Sequence, residues 1–240
     1  EIMVIQTRAK IHIQNNRLIL FMAATLLLVI LKYFYNIGFS ATTIAVILGG
    51  LGIILPAYQL IAAILFLIPF YLAIQTSATN LILLSVFLVK IRFKIKLKGI
   101  GSLFVFLIVW ELFHSIYSPF SIVEFVKVFS VYFLIAIVLN EGIPNNKPKI
   151  LIYSYIWGVA FFSIIIIAFE MKYSNRNLLN YLLLFNRLGQ TAEIEYVSYG
   201  MYANSNYLAL CCATAISSLI YLISNDNKKK ILKTLVMLFL

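Results

Sequence analysis

The chain has 240 residues, 63% of them apolar and only 11% charged, and its mean hydropathy of +1.00 lies far outside the range of water-soluble domains. On composition alone a soluble fold is excluded. The net charge of +11 does not mark a nucleic-acid binder, because the basic residues fall in short clusters between apolar runs and form no amphipathic face with interleaved aromatics.

A membrane-spanning helix needs about 20 mostly apolar residues. Apolar runs and their breakers predict spans over 17–35, 37–55, 57–74, 76–90, 100–118, 122–139, 150–169 and 204–223, with another beginning at 231. The stretch 33–89 contains no Asp, Glu, Lys, Arg or His and is expected to cross several times. Asn36, Pro56, the polar run 75–80, Pro119 and Pro144 supply the breaks, each by turn chemistry or by removing a backbone donor. The run 231–240 is too short to span, so the chain is expected to be cut inside a ninth helix. The first apolar segment continues into others without a small-residue processing site, so no cleavable signal peptide is expected. The whole, 1–240, reads as one all-α transmembrane domain: a polytopic helix bundle of about eight complete spans plus a truncated ninth.

Cytoplasmic loops are enriched in Lys and Arg. With the N-terminus inside, the cytoplasmic face receives Arg8, Lys10, Arg17, the cluster Lys90, Arg92, Lys94, Lys96 and Lys98, then Lys147, Lys149, Lys228, Lys229, Lys230 and Lys233, which is 14 of the 19 basic residues. Lys32, Lys127, Lys172, Arg176 and Arg187 remain outside. The alternation of basic and apolar residues over 90–98 reads as a cytoplasmic linker lying near anionic lipid and not as a strand. Tyr33, Tyr35, Tyr117 and Tyr173 fall at expected helix ends, where an apolar ring with a polar tip suits the headgroup level. Cys211 and Cys212 are adjacent inside an apolar run and read as small packing residues, with no metal or disulfide role. No dinucleotide fingerprint, P-loop, zinc signature or internal repeat occurs, so neither cofactor nor metal is expected.

The one long connection is 170–203, assigned to the outer face; connections of this length are uncommon unless functional or disordered, and its composition favours function over a solvated surface loop. It holds Lys172, Arg176, Arg187, Glu193 and Glu195 among aromatic residues, with an apolar centre over 178–185 that suits the membrane surface. The run Gly200-Met201-Tyr202-Ala203-Asn204-Ser205-Asn206-Tyr207-Leu208-Ala209, preceded by Arg187-Leu188-Gly189 and entering an apolar helix, resembles the O-antigen polymerase and O-antigen ligase superfamily of bacterial envelope proteins. Ser205 stands where that family usually has Pro, and either residue suits a first helical turn. A weaker similarity covers 100–140, around the corner Tyr117-Ser118-Pro119.

The resemblance implies the membrane glycosyltransferase (GT-C type) architecture. It also implies glycosyl transfer on the outer face of the bacterial cytoplasmic membrane, from a polyprenyl-pyrophosphate-linked oligosaccharide to a glycan or lipid acceptor. The pyrophosphate leaving group calls for fixed cations, and Arg holds two phosphate oxygens at once. Arg187 is the first candidate and Arg176 the second; Glu193 and Glu195 are available as the base that activates an acceptor hydroxyl. Asn204 and Asn206 of the motif, with Lys127 and Glu111 in the expected spans, complete the substrate-binding set. Charges at membrane depth are normally paired, and Glu111 with His114 and Glu124 with Lys127 have i, i+3 spacing. Such groups suit a sugar pocket or a proton relay equally. A transporter or lipid-linked oligosaccharide flippase therefore stays open, as does a non-catalytic part in an envelope-assembly complex. Membrane lipids are expected partners and nucleic acid is not.

Overall fold

The computed structural model describes residues 2–74, 76–92, 148–173 and 205–225, together with Phe106, Val109, Trp110 and Phe113. Helix α1 runs Ile2–Phe34 through a sequence free of Gly and Pro. Asn36 then takes the left-handed conformation (φ 55°) and the Ile37 N–H returns to the Leu31 carbonyl at 3.1 Å, which closes the helix end. Asn reaches this region at low cost because its short polar side chain bonds locally. Helix α2, Ala41–Ile53, starts on Ser40, whose hydroxyl accepts the Thr43 N–H at 3.0 Å. Pro56 prevents its continuation and opens α3, Ala57–Leu67.

Pro69 has no N–H to give, so the chain tightens into a 3-10 turn over Ile68–Phe70 before the short α4, Tyr71–Ile74. Helix α5, Ser77–Lys90, ends where Arg92 turns left-handed (φ 55°). Helix α6 is Pro148–Tyr173 and α7 is Ser205–Asn225.

The helical class and the breaks at Asn36 and Pro56 are as expected, but the eight-span bundle with a ninth begun is overturned. Among the described residues there are six helices of more than ten residues, and two of them are long and apolar enough to cross a membrane: Asn16–Phe34 within α1 and Lys149–Phe169 within α6. The expected spans over 37–55, 57–74 and 76–90 are helices of 13, 11 and 14 residues, the second extended only by the 3-10 turn and α4. At 1.5 Å per residue, α2 and α5 reach about 20 Å, short of a hydrocarbon core of about 30 Å. The expected spans over 100–118, apart from Phe106, Val109, Trp110 and Phe113, and over 122–139, and the run from 231, lie outside the described residues.

The physical reason is visible in α3. Leu60, Ala62, Ala63, Phe66 and Leu67 have no exposed surface, and Ile61 and Ile64 are buried too. A helix apolar on all sides can be an interior element as well as a spanning one, and here its apolar surface is spent on other helices. Its neighbours are α1, α5 and α6, while α2 packs on α1 and α5; the buried residues of these helices form one continuous core with Phe70 edge-on to Phe162 at 5.1 Å. A second, smaller core joins Ile156, Val159 and Ala160 of α6 to Cys211, Ala215, Leu219 and Leu222 of α7. Cys211 is buried in this core and Cys212 is partly buried against it.

The outward faces are apolar as well. Ile19, Leu20 and Leu27 on α1, Val46 and Ile53 on α2, and Leu210 and Ile220 on α7 are exposed. Exposed aliphatic surface spread over several helices, combined with two helices long and apolar enough to cross, suits a membrane protein.

Helices α3 and α6 come into backbone contact at Gly158, where a Cβ would lie 2.5 Å from the Phe66 carbonyl oxygen and 3.2 Å from its Cα. Small residues permit such backbone contact between helices. Gly158→Ala is expected to destabilise the protein by about 1–3 kcal/mol, the usual cost of overpacking. Gly50→Ala, in α2 with nothing within 4 Å, should be neutral or stabilising, as Ala is favoured over Gly in a helix. Thermal unfolding of the two variants in detergent checks the contrast.

Candidate functional site

Helices α1 and α6 run in the same direction, and their C-terminal ends meet. Lys172 Nζ, in the last turn of α6, donates to the Phe34 carbonyl at 2.9 Å and lies 5.3 Å from the Phe34 ring centre. Phe169 packs edge-on against both Tyr33 and Phe34, at 5.7 and 5.8 Å. At the same end Lys32 Nζ and the Tyr33 hydroxyl both donate to the Ala73 carbonyl, at 2.7 and 2.9 Å. Phe34 and Ala73 lie in the last turns of α1 and α4, where carbonyls have no helical partner and carry the negative end of the helix dipole. Two ammonium groups are thereby fixed at one end of the molecule.

Lys32 also lines a small cavity of about 240 Å³ with Phe39, Ser40, Ala41, Ile44 and Ile74. Ser40 caps α2, so the positive end of that helix dipole adds to the Lys32 charge. Just beyond the break after α4, Thr76 and Thr79 are fully buried, and neither their hydroxyls nor the Asn80 carbonyl oxygen has a hydrogen-bond partner. The spacing i, i+3, i+4 places these three side chains on one face of the first turn of α5. A buried polar atom left unpaired costs about 1–3 kcal/mol, so three on one face set this turn apart from the apolar core around it.

Of the residues expected to bind or react, Asn206 lies in the first turn of α7. Arg187, Glu193, Glu195, Arg176, Asn204, Lys127 and Glu111 lie outside the described residues, as do His114 and Glu124. The connection that carries most of them leaves α6 directly after Tyr173, one residue beyond Lys172. Lys32, Thr76, Thr79 and Asn80 were not among the expected site residues. Their signal was present as a lone cation closing the first apolar run and as the polar run 75–80. Among the described residues there is no group of three or more His, Cys, Asp or Glu side chains able to hold a metal ion.

No family model, curated protein or solved structure matches this chain. Fold and site therefore define a class only: a helical protein with two helices of crossing length and a cationic, polar end from which the 174–204 connection departs.

Replacing Thr79 by Val keeps the shape and removes a buried hydroxyl that has no partner. The variant is expected to be as stable as the wild type or more stable by up to about 1 kcal/mol, read from its unfolding midpoint. A clear fall in the unfolding midpoint would show that the hydroxyl is bonded in the native state.

Proposed function

We propose that this protein is a bacterial envelope enzyme that transfers glycosyl units from a polyprenyl-pyrophosphate-linked oligosaccharide to a glycan or lipid acceptor, in the polymerisation or ligation of a surface polysaccharide such as O-antigen, capsule or exopolysaccharide. Its place would be the cytoplasmic membrane with the N-terminus on the cytoplasmic side. The observation that carries the reading is the end shared by α1 and α6: two anchored ammonium groups stand where the Arg-bearing connection begins. The run from Gly200 to Ala209, similar to the polymerase and ligase superfamily, brings the chain into α7.

In this reading the bond from the anomeric carbon to the pyrophosphate oxygen breaks while an acceptor hydroxyl attacks that carbon. The hydroxyl proton passes to a carboxylate, for which Glu193 and Glu195 are the candidates. Arg187, with Arg176, neutralises the charge that grows on the leaving pyrophosphate. Lys32 and Lys172 add positive potential from fixed positions, and Asn204, Asn206, Lys127 and Glu111 remain proposed sugar contacts. Polar side chains beside the helix break at 74–76 suit sugar hydroxyls.

The same break favours a second reading, a transporter or flippase for a lipid-linked oligosaccharide. Interrupted helices with unpaired polar groups are how many transporters build a binding site. The two readings separate by the chemistry: an enzyme changes glycan length or linkage, whereas a flippase changes only the side of the membrane on which the lipid-linked substrate is found.

Arg187→Ala is expected to leave the amount of protein in the membrane unchanged while long glycan chains disappear from the cell surface. Glycans of unaltered length in that variant would remove Arg187 from the mechanism. The orientation is tested separately, in a background with Cys211 and Cys212 replaced by Ala. A cysteine at Gln190 should react with an impermeant thiol reagent from outside and one at Lys94 should not; the opposite pattern would overturn it.

A further inference from the structure

The opposite end of the molecule carries a second pair of cations. Arg17 of α1 and Lys90, the last residue of α5, converge on the C-terminal end of α2. Lys90 Nζ donates to the Ile53 carbonyl at 2.6 Å and to the Leu55 carbonyl, and Arg17 Nη1 donates to the Ile54 carbonyl at 3.0 Å. These carbonyls are the ones left without helical partners when Pro56 stops α2, and their negative dipole end draws both cations in.

The two side chains and residues 53–56 line an open cleft of about 490 Å³, with no carboxylate among the described residues that line it. Burial, and then the neighbouring Arg17 charge, pull the Lys90 ammonium below the ordinary lysine value. Helix carbonyls bear only partial charges, so two like-charged cations remain incompletely neutralised here. Arg17 uses one of the five N–H donors of its guanidinium in the bond to Ile54.

Two further features identify the missing anion. Arg17 is the second residue of the crossing segment Asn16–Phe34, which puts it at headgroup depth if that segment crosses. Beside the cations, Ile53 and Ile54 are 62% and 44% exposed, a surface that suits acyl chains and not water. We propose that this cleft holds the phosphate of an anionic membrane phospholipid, with Arg17 and Lys90 on its oxygens and Ile53 and Ile54 against the start of its acyl chains. Basic pockets between helices at the membrane surface select such lipids by charge and depth together. The site needs the membrane reading but not the glycosyl-transfer reading, since it lies at the other end of α1.

The test uses the purified protein in nanodiscs of phosphatidylcholine, with and without phosphatidylglycerol, read by thermal unfolding. Phosphatidylglycerol is expected to raise the wild-type midpoint by about 2–4 °C. Arg17→Gln and Lys90→Gln should each lose most of that rise, while Arg17→Lys with Lys90→Arg keeps it and shows that the fold is intact. Lys149→Gln removes an exposed charge in the first turn of α6 and should leave the rise in place. An equal rise in the Gln variants would overturn the site. An equal loss in Lys149→Gln would overturn it too, by showing only diffuse surface attraction. Inorganic phosphate that reproduces the rise in phosphatidylcholine discs would replace the lipid by a free anion and overturn the assignment.

Discussion

The backbone contact between α3 and α6 at Gly158 is the constraint on which the rest of the structure depends. Helices approach this closely only where one of them carries no Cβ, and here the atom met is a peptide carbonyl that cannot swing aside. The contact lets most of α3 lie inside, with its Phe66 beside Phe70 and Phe70 edge-on to Phe162. Helix α6 thereby faces two cores at once, the larger through α3 and the smaller through α7. Tyr155 strengthens the second by hydrogen bonding to Thr214 at 2.5 Å and to the Cys211 carbonyl at 3.2 Å.

Helix ends organise what the apolar packing leaves over. Short helices multiply C-terminal carbonyls that need donors, and with so few charged side chains the donors are drawn from far along the chain. Lys32 serves Ala73, Lys172 serves Phe34, and Arg17 and Lys90 serve the end of α2. Each pairing fixes a cation at one end of the molecule, and the ends then differ in what else they offer. One combines its cations with buried unpaired hydroxyls and the departure of the 174–204 connection; the other combines them with exposed aliphatic walls.

Several local features were legible in the sequence because they depend on a few neighbouring residues. Asn36 takes a left-handed turn, Pro56 separates α2 from α3, and the polar run 75–80 interrupts the helix after Ile74. The site was legible only as far as residue types and the run entering α7 reach. The role of Lys32 depends on Ala73, a residue 41 positions away, and that of Lys172 on Phe34, 138 positions away. No local pattern encodes such partners.

The sequence by itself determined that the chain is helical, that its surface and interior are both apolar, and where most described helices stop. Only the tertiary structure decided which apolar runs are interior. Hydropathy measures how strongly a segment avoids water, and that preference is met equally by lipid or by another helix. For 57–67 the contact at Gly158 supplied the helix, so a run that composition would place across a membrane is buried among its neighbours. For Asn16–Phe34 and Lys149–Phe169 the greater length remains, and with it the capacity to cross.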